Sequence, residues 1–179
     1  MRTAPTGADL RISLILSAAA VLWLSTALSA PLLQAGGHAL PALLARAVFS
    51  PVCHQIPGRS FWIDGAPMAL CARCTGLASG LLLGCLLVAS RAGLCARRLP
   101  TPPRAFLLAA FAPMILEAAL EQSGAWAGSI WARALTGTMA GFAIAPYAVA
   151  ATRDLPAEAA GEVRRLSRLA GGRKRAGTC

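Results

Sequence analysis

The sequence predicts an all-α integral membrane protein: a four-helix bundle with an ordered outward loop between its first and second helices. Three observations lead there. Hydrophobic residues make up 56% of the 179 and charged residues only 13%, against about 25% charged in ordinary soluble domains. Mean hydropathy is +0.61, which excludes a disordered chain and leaves too few charges to coat a water-soluble globule. Four apolar stretches are long enough to cross a hydrocarbon core, which takes about 20 residues. In lipid each must be a helix, because no water is there to satisfy open backbone groups.

The first span runs from Ile12 to Leu33, after a short cytoplasmic N-terminus of residues 1–11. Arg2 and Arg11 before it, and the small residues Ala27-Leu28-Ser29-Ala30 near its end, also fit a cleaved signal peptide. Its long apolar core and Pro31 after the best cut favour a retained span. Cys74–Ser90, Ala105–Gln122 and Trp131–Ala151 are the other three, so the membrane domain covers residues 12–151. Pro113 and Pro146 are expected to kink the third and fourth.

Orientation follows from the arginines. Lys+Arg 17 against Asp+Glu 7 gives +10, and every basic residue except Lys174 is Arg. Arg91, Arg97, Arg98 and Arg104 lie between spans two and three, and Arg153, Arg164, Arg165, Arg168, Arg173, Lys174 and Arg175 follow span four. The positive-inside rule makes both termini and that middle connection cytoplasmic. Residues 34–73 then face outward, despite Arg46 and Arg59. The basic tail, residues 152–179, is read as a topogenic charge cluster containing a short surface helix over Leu155–Gly172. No aromatic residues interleave with its arginines, so base stacking and a nucleic-acid partner are not indicated. The lipid bilayer is the expected partner.

Span two carries Gly76, Gly80 and Gly84, and span four carries Gly137 and Gly141. Four-residue spacing lays a flat glycine strip along one helix face, where another backbone can approach closely. Packing within the bundle is the expected use; a homo-oligomer seam is the alternative.

The chemistry concentrates in the outward loop. It reads Pro51-Val52-Cys53-His54-Gln55-Ile56-Pro57-Gly58-Arg59-Ser60-Phe61-Trp62, and after Asp64-Gly65 reaches Cys71-Ala72-Arg73-Cys74-Thr75-Gly76. A Cys-x-x-Cys pair with a further Cys and a His supplies four N/S ligands, the set that suits tetrahedral zinc. Cys53, His54, Cys71 and Cys74 are therefore the candidate metal ligands. Cys53 and His54 are adjacent, so both reach one ion only if the chain turns sharply there. The pair also stands where span two begins, and free backbone N–H groups at a helix start favour thiolate. That makes thiol–disulfide oxidoreductase chemistry at Cys71 and Cys74, with Cys53 as resolving thiol, the second reading. A scaffold with a structural disulfide from Cys53 to Cys71 or Cys74 is the third. Covalent haem is disfavoured because Thr75, not His, follows Cys74. Cys85 lies eleven residues beyond Cys74, about 16 Å deeper on a helix, and with Cys95, Cys179 and His38 is left out of the site.

Glu117 and Glu121 share one face of span three. A carboxylate that deep must be paired or neutralised, so both are functional candidates by default. Together with Arg59, Arg73 and Arg133 they form either an ion-pair lock between spans or the outer shell of the metal site. Both carboxylates are catalytic candidates, and Glu121 could serve as an oxygen ligand, an outer acceptor or a general base beside a metal-bound water.

Cys53-His54-Gln55-Ile56-Pro57, Arg59-Ser60-Phe61 and Cys71-Ala72-Arg73-Cys74-Thr75-Gly76 together resemble DUF2085, a family of small prokaryotic membrane proteins. The resemblance continues through Glu117, Glu121, Arg133, Thr136 and Gly137, covering roughly residues 45–145. The family pattern has Asp where Glu117 stands, Gln where Glu121 stands and Ser-Asn-Asn where Gly128-Ser129-Ile130 stand, which weakens an essential base at Glu121. The resemblance implies a membrane protein defined by its outward Cys/His site, and it implies no reaction.

Overall fold

The computed structural model describes residues 6–95 and 101–175. Helix α1 (Thr6–Ala35) leads into a short helix α2 (Ala39–Phe49), a 3-10 turn (Pro57–Arg59) and a hairpin of β1 (Ser60–Ile63) and β2 (Ala66–Cys71). Three long helices follow: α3 (Ala72–Cys95), α4 (Arg104–Gln122) and α5 (Ile130–Arg175). Four helices carry apolar stretches long enough to cross a membrane: Gly7–Ala35, Ala72–Ala92, Arg104–Gln122 and Ile130–Arg153. The expected all-helical bundle is the observed architecture.

Its boundaries differ from the sequence reading in two places. α1 begins six residues before Ile12, because Asp9 and Arg11 sit within helical backbone rather than ahead of it. The tail is not a separate helix: α5 continues without a break through residues 152–175, over a stretch rich in the helix formers Ala, Glu, Leu and Arg. Pro113 and Pro146 lie inside α4 and α5, neither of which they end. Arg2, Arg97, Arg98 and Cys179 lie outside the described residues.

The bundle is held mainly by α3 against α5, with α1 on α3 and α4 on the flank of α5. Glycine decides the central contact. A Cβ on Gly76 or Gly80 would collide with the carbonyl oxygen of Ala134 or Thr138 on α5, and one on Gly84 with Ala145. A Cβ on Gly137 or Gly141 would collide with the carbonyl oxygen of Arg73 or Leu77 on α3. The two strips face each other, so backbone meets backbone. Lipid provides no hydrophobic drive between helices, and such close packing supplies the attraction instead. Large apolar side chains such as Leu22, Leu108 and Trp131 point outward, as suits a surface solvated by lipid.

The loop between α1 and α3 is folded, not merely a connection. Asp64 and Gly65 both adopt positive φ, at 49° and 76°, the geometry of the tight two-residue turns that close hairpins. Ile63 pairs with Ala66, Trp62 with Pro67 and, after an irregularity, Ser60 with Cys71. The hairpin returns the chain from the 3-10 turn to the first residue of α3. Beneath it Phe49 of α2, Leu70 of β2 and Ala27 and Ala30 of α1 form a buried cluster that also contains Cys53. Trp23 meets Phe49 edge to face at 4.7 Å, and Phe61 of β1 meets Trp131 of α5 at 5.5 Å.

Candidate metal centre

Cys53 follows α2 directly: its N–H donates to the carbonyl of Phe49 at 2.9 Å, which turns the chain and sends the sulfur inward. Cys71 ends β2 and Cys74 lies in the first turn of α3. The β1–β2 hairpin thus carries Cys71 and Cys74 back over Cys53, eighteen residues earlier in the chain for the first of them. The three Sγ atoms all lie within 4.8 Å of one another, and all three cysteines are free thiols. The N–H of Cys71 donates to Cys53 Sγ at 3.3 Å.

Zinc–sulfur bonds of about 2.3 Å in a tetrahedral site put sulfurs roughly 3.8 Å apart, a separation that the 4.8 Å cluster accommodates with small rotations about the Cα–Cβ bonds. The Cys71 thiol is lowered from its ordinary value to about 5. The Cys74 side chain hydrogen-bonded to it contributes most, opposed by burial; the Cys74 N–H, the Cys53 thiol and the Arg73 N–H contribute further. The backbone N–H groups at the helix start thus add to the lowering of Cys71, behind the Cys74 thiol.

His54 is not brought into the group. Cys53 is buried, whereas His54 is exposed and lies outside the three-thiol cluster. Adjacent residues here point to opposite sides, and Gln55 fixes that arrangement: it takes φ 51° and its Nε2 donates to the carbonyl of Arg46 at 2.6 Å. Among the described residues the group that could hold a metal ion is these three sulfurs. Cys85 is fully buried in a separate cluster with Val88, Ala145 and Val149.

Glu117, Glu121, Arg59, Arg73 and Arg133 do converge. Arg73 Nη2 lies 2.8 Å from Glu117 Oε2, Arg133 Nη2 2.8 Å from Glu121 Oε1, and Arg59 Nη2 2.5 Å from the same oxygen. Arg133 Nε donates to Glu121 Oε2 at 3.2 Å, making that pair a two-bond fork. Thr136 Oγ1 donates to Glu117 Oε2 at 3.3 Å. One network therefore joins the 3-10 turn, α3, α4 and α5. Both carboxylates are engaged by guanidinium groups, while Glu117 Oε1 is buried with no hydrogen-bond partner among the described residues.

Two residues escaped the sequence reading. Arg46 of α2 donates to Pro67 O at 2.6 Å and Gln34 Oε1 at 3.2 Å, holding the hairpin onto α1 and α2. Asp9 is buried, with Arg153 of α5 3.6 Å away. An Asp ahead of a span and an Arg behind another were the only signals for that pair.

No solved structure matches the chain. A Methanocaldococcus jannaschii protein described as uncharacterized is 36% identical over 101 residues, which is 56% of this chain and 64% of that protein. The chain thus spans less than two thirds of that relative's length. The family model described as predicted membrane protein (DUF2085) matches residues 53–147, from the first thiol of the cluster through most of the α5 span. With more than half of its residues inside that match, the chain belongs to the DUF2085 family of membrane proteins.

Proposed function

We propose that this membrane protein holds one zinc ion through Cys53, Cys71 and Cys74 at the extracytoplasmic end of its bundle, leaving the fourth coordination position open. The single observation that carries the reading is the convergence of three free sulfurs within 4.8 Å from the loop after α2, the end of β2 and the start of α3. Soft thiolates select zinc or copper(I) among available metals, and three protein ligands with an open site is the arrangement of zinc centres that bind a further group. Support comes also from charge. Zinc with three thiolates carries −1, and the network of three arginines and two glutamates, to which Arg73 belongs, carries +1. The positive-inside distribution of arginine favours the outward placement.

A second reading is favoured by the Cys71 thiol at about 5: Cys71 and Cys74 would form a thiol–disulfide couple, with Cys53 as resolving thiol. One experiment separates the two. Elemental analysis of protein purified without a metal-affinity tag gives about one zinc per chain under the first reading, lost on combined Cys71→Ser and Cys74→Ser substitution. Metal-free protein whose thiols oxidise and reduce reversibly near the ambient redox poise overturns it in favour of the couple. A permanent disulfide overturns both.

A further inference from the structure

Directly below the thiols is a cavity of about 430 Å³ at the junction of α1, α3 and α5. Its size is within the range of about 300–1,000 Å³ usual for small-molecule sites. Leu16, Ala20 and Trp23 of α1 form one wall, Leu81 of α3 and Ile144 of α5 the others, and Cys74 stands at one end. Except near Val52 and Leu70, the lining comes from the membrane-spanning segments. From Cys74 to Leu81 is seven helical residues, about 10 Å along the axis.

Physical chemistry narrows the occupant. The lining is apolar apart from the Cys74 sulfur, so a polar substrate would lose its hydration without gaining hydrogen bonds. Packing leaves this space open because α1 and α5 meet only sparsely while each packs on α3. The one reactive group at its boundary belongs to the metal centre proposed above. We infer that the cavity binds the hydrocarbon chain of a single-chain amphiphile drawn from the bilayer, its polar head reaching the open position beside Cys74. The inference rests on the zinc reading for the head and on the cavity alone for the chain.

The test uses the full chain in phosphatidylcholine nanodiscs, with decanoic acid carrying a diazirine as the probe. Labelling is expected at the lining positions Leu16, Ala20, Trp23, Leu77 and Leu81, reduced at least about ten-fold by Ala78→Phe, since a filled cavity excludes several methylenes. Ala19→Phe, on the opposite wall, gives the same loss and serves if the first variant does not fold. Labelling spread over lipid-facing positions such as Leu22 and Leu108, and unmoved by either variant, means bulk lipid and overturns the inference. Cobalt-substituted protein reads the head: decanoate shifts the visible bands at concentrations at least about ten-fold below acetate. Equal responses to the two acids overturn the link to the metal centre. Specific labelling in protein that binds no cobalt upholds the chain site and overturns the zinc reading.

Discussion

Arg73 Nη2 lies 2.8 Å from Glu117 Oε2, and this pair ties the helix that carries Cys74 to a helix on the bundle's flank. Arg73 stands between Cys71 and Cys74 in sequence, so the same turn of chain faces the thiols with two residues and α4 with the third. Removing one partner of a buried pair strands the other in a medium that solvates it poorly.

Glu117→Ala is expected to lower unfolding stability by about 3 kcal/mol, while Glu117→Asp retains most of it. Arg59→Ala, which removes a half-exposed partner of Glu121, costs about 0–1 kcal/mol. Denaturant unfolding of the purified protein in one detergent checks the ranking, and equal losses in all three variants refute it.

The α3–α5 contact is tested by Gly80→Val, whose side chain collides with the α5 backbone at Thr138 and Phe142. A cost of at least about 1–3 kcal/mol is expected, because backbone cannot yield as a side-chain end does. Gly58→Ala is the control, since nothing lies within 4 Å of its Cβ position. Thermal melting of the two variants reads the difference.

With Cys71 lowered to about 5, its thiolate is already formed at neutral pH. In metal-stripped protein its alkylation rate is expected to be flat from about pH 6 to 8 and to fall about ten-fold per unit below 5. Cys74→Ala moves that midpoint upward, because the Cys74 thiol contributes most to the lowering. The sign for stability follows. A lowered native value favours folding fully above the unfolded thiol's value, near 8.5, and the contribution disappears as pH falls through about 5. Mass-spectrometric alkylation across the pH range measures the midpoint.

His54→Ala is expected to leave zinc stoichiometry unchanged, whereas Cys53→Ala removes the ion or weakens it by more than the roughly 10–100-fold typical of outer-sphere changes. Metal analysis after dialysis against a graded chelator checks both. Zinc lost from His54→Ala would return histidine to the ligand set.

The spans were legible in the residues because their cause is local: a run of apolar side chains in lipid has helix as its way of satisfying its backbone. The Cys-x-x-Cys pair at the start of α3 and the shared face of Glu117 and Glu121 were legible for the same reason, since helical periodicity fixes them. Non-local packing decided the rest. Whether Cys53 or His54 turns inward depends on the Gln55 bond to Arg46 and on Phe49 filling the space beneath the hairpin. Sequence alone gave both residues equal claim to the site. The Asp64-Gly65 turn was visible, but only the pairing of Ser60 with Cys71 shows where it delivers the second thiol. Hydropathy and spacing determined that this chain is a helical membrane bundle with a thiol-rich loop. Tertiary structure chose the three sulfurs and left the cavity below them, because contacts between distant residues depend on how whole helices fit together.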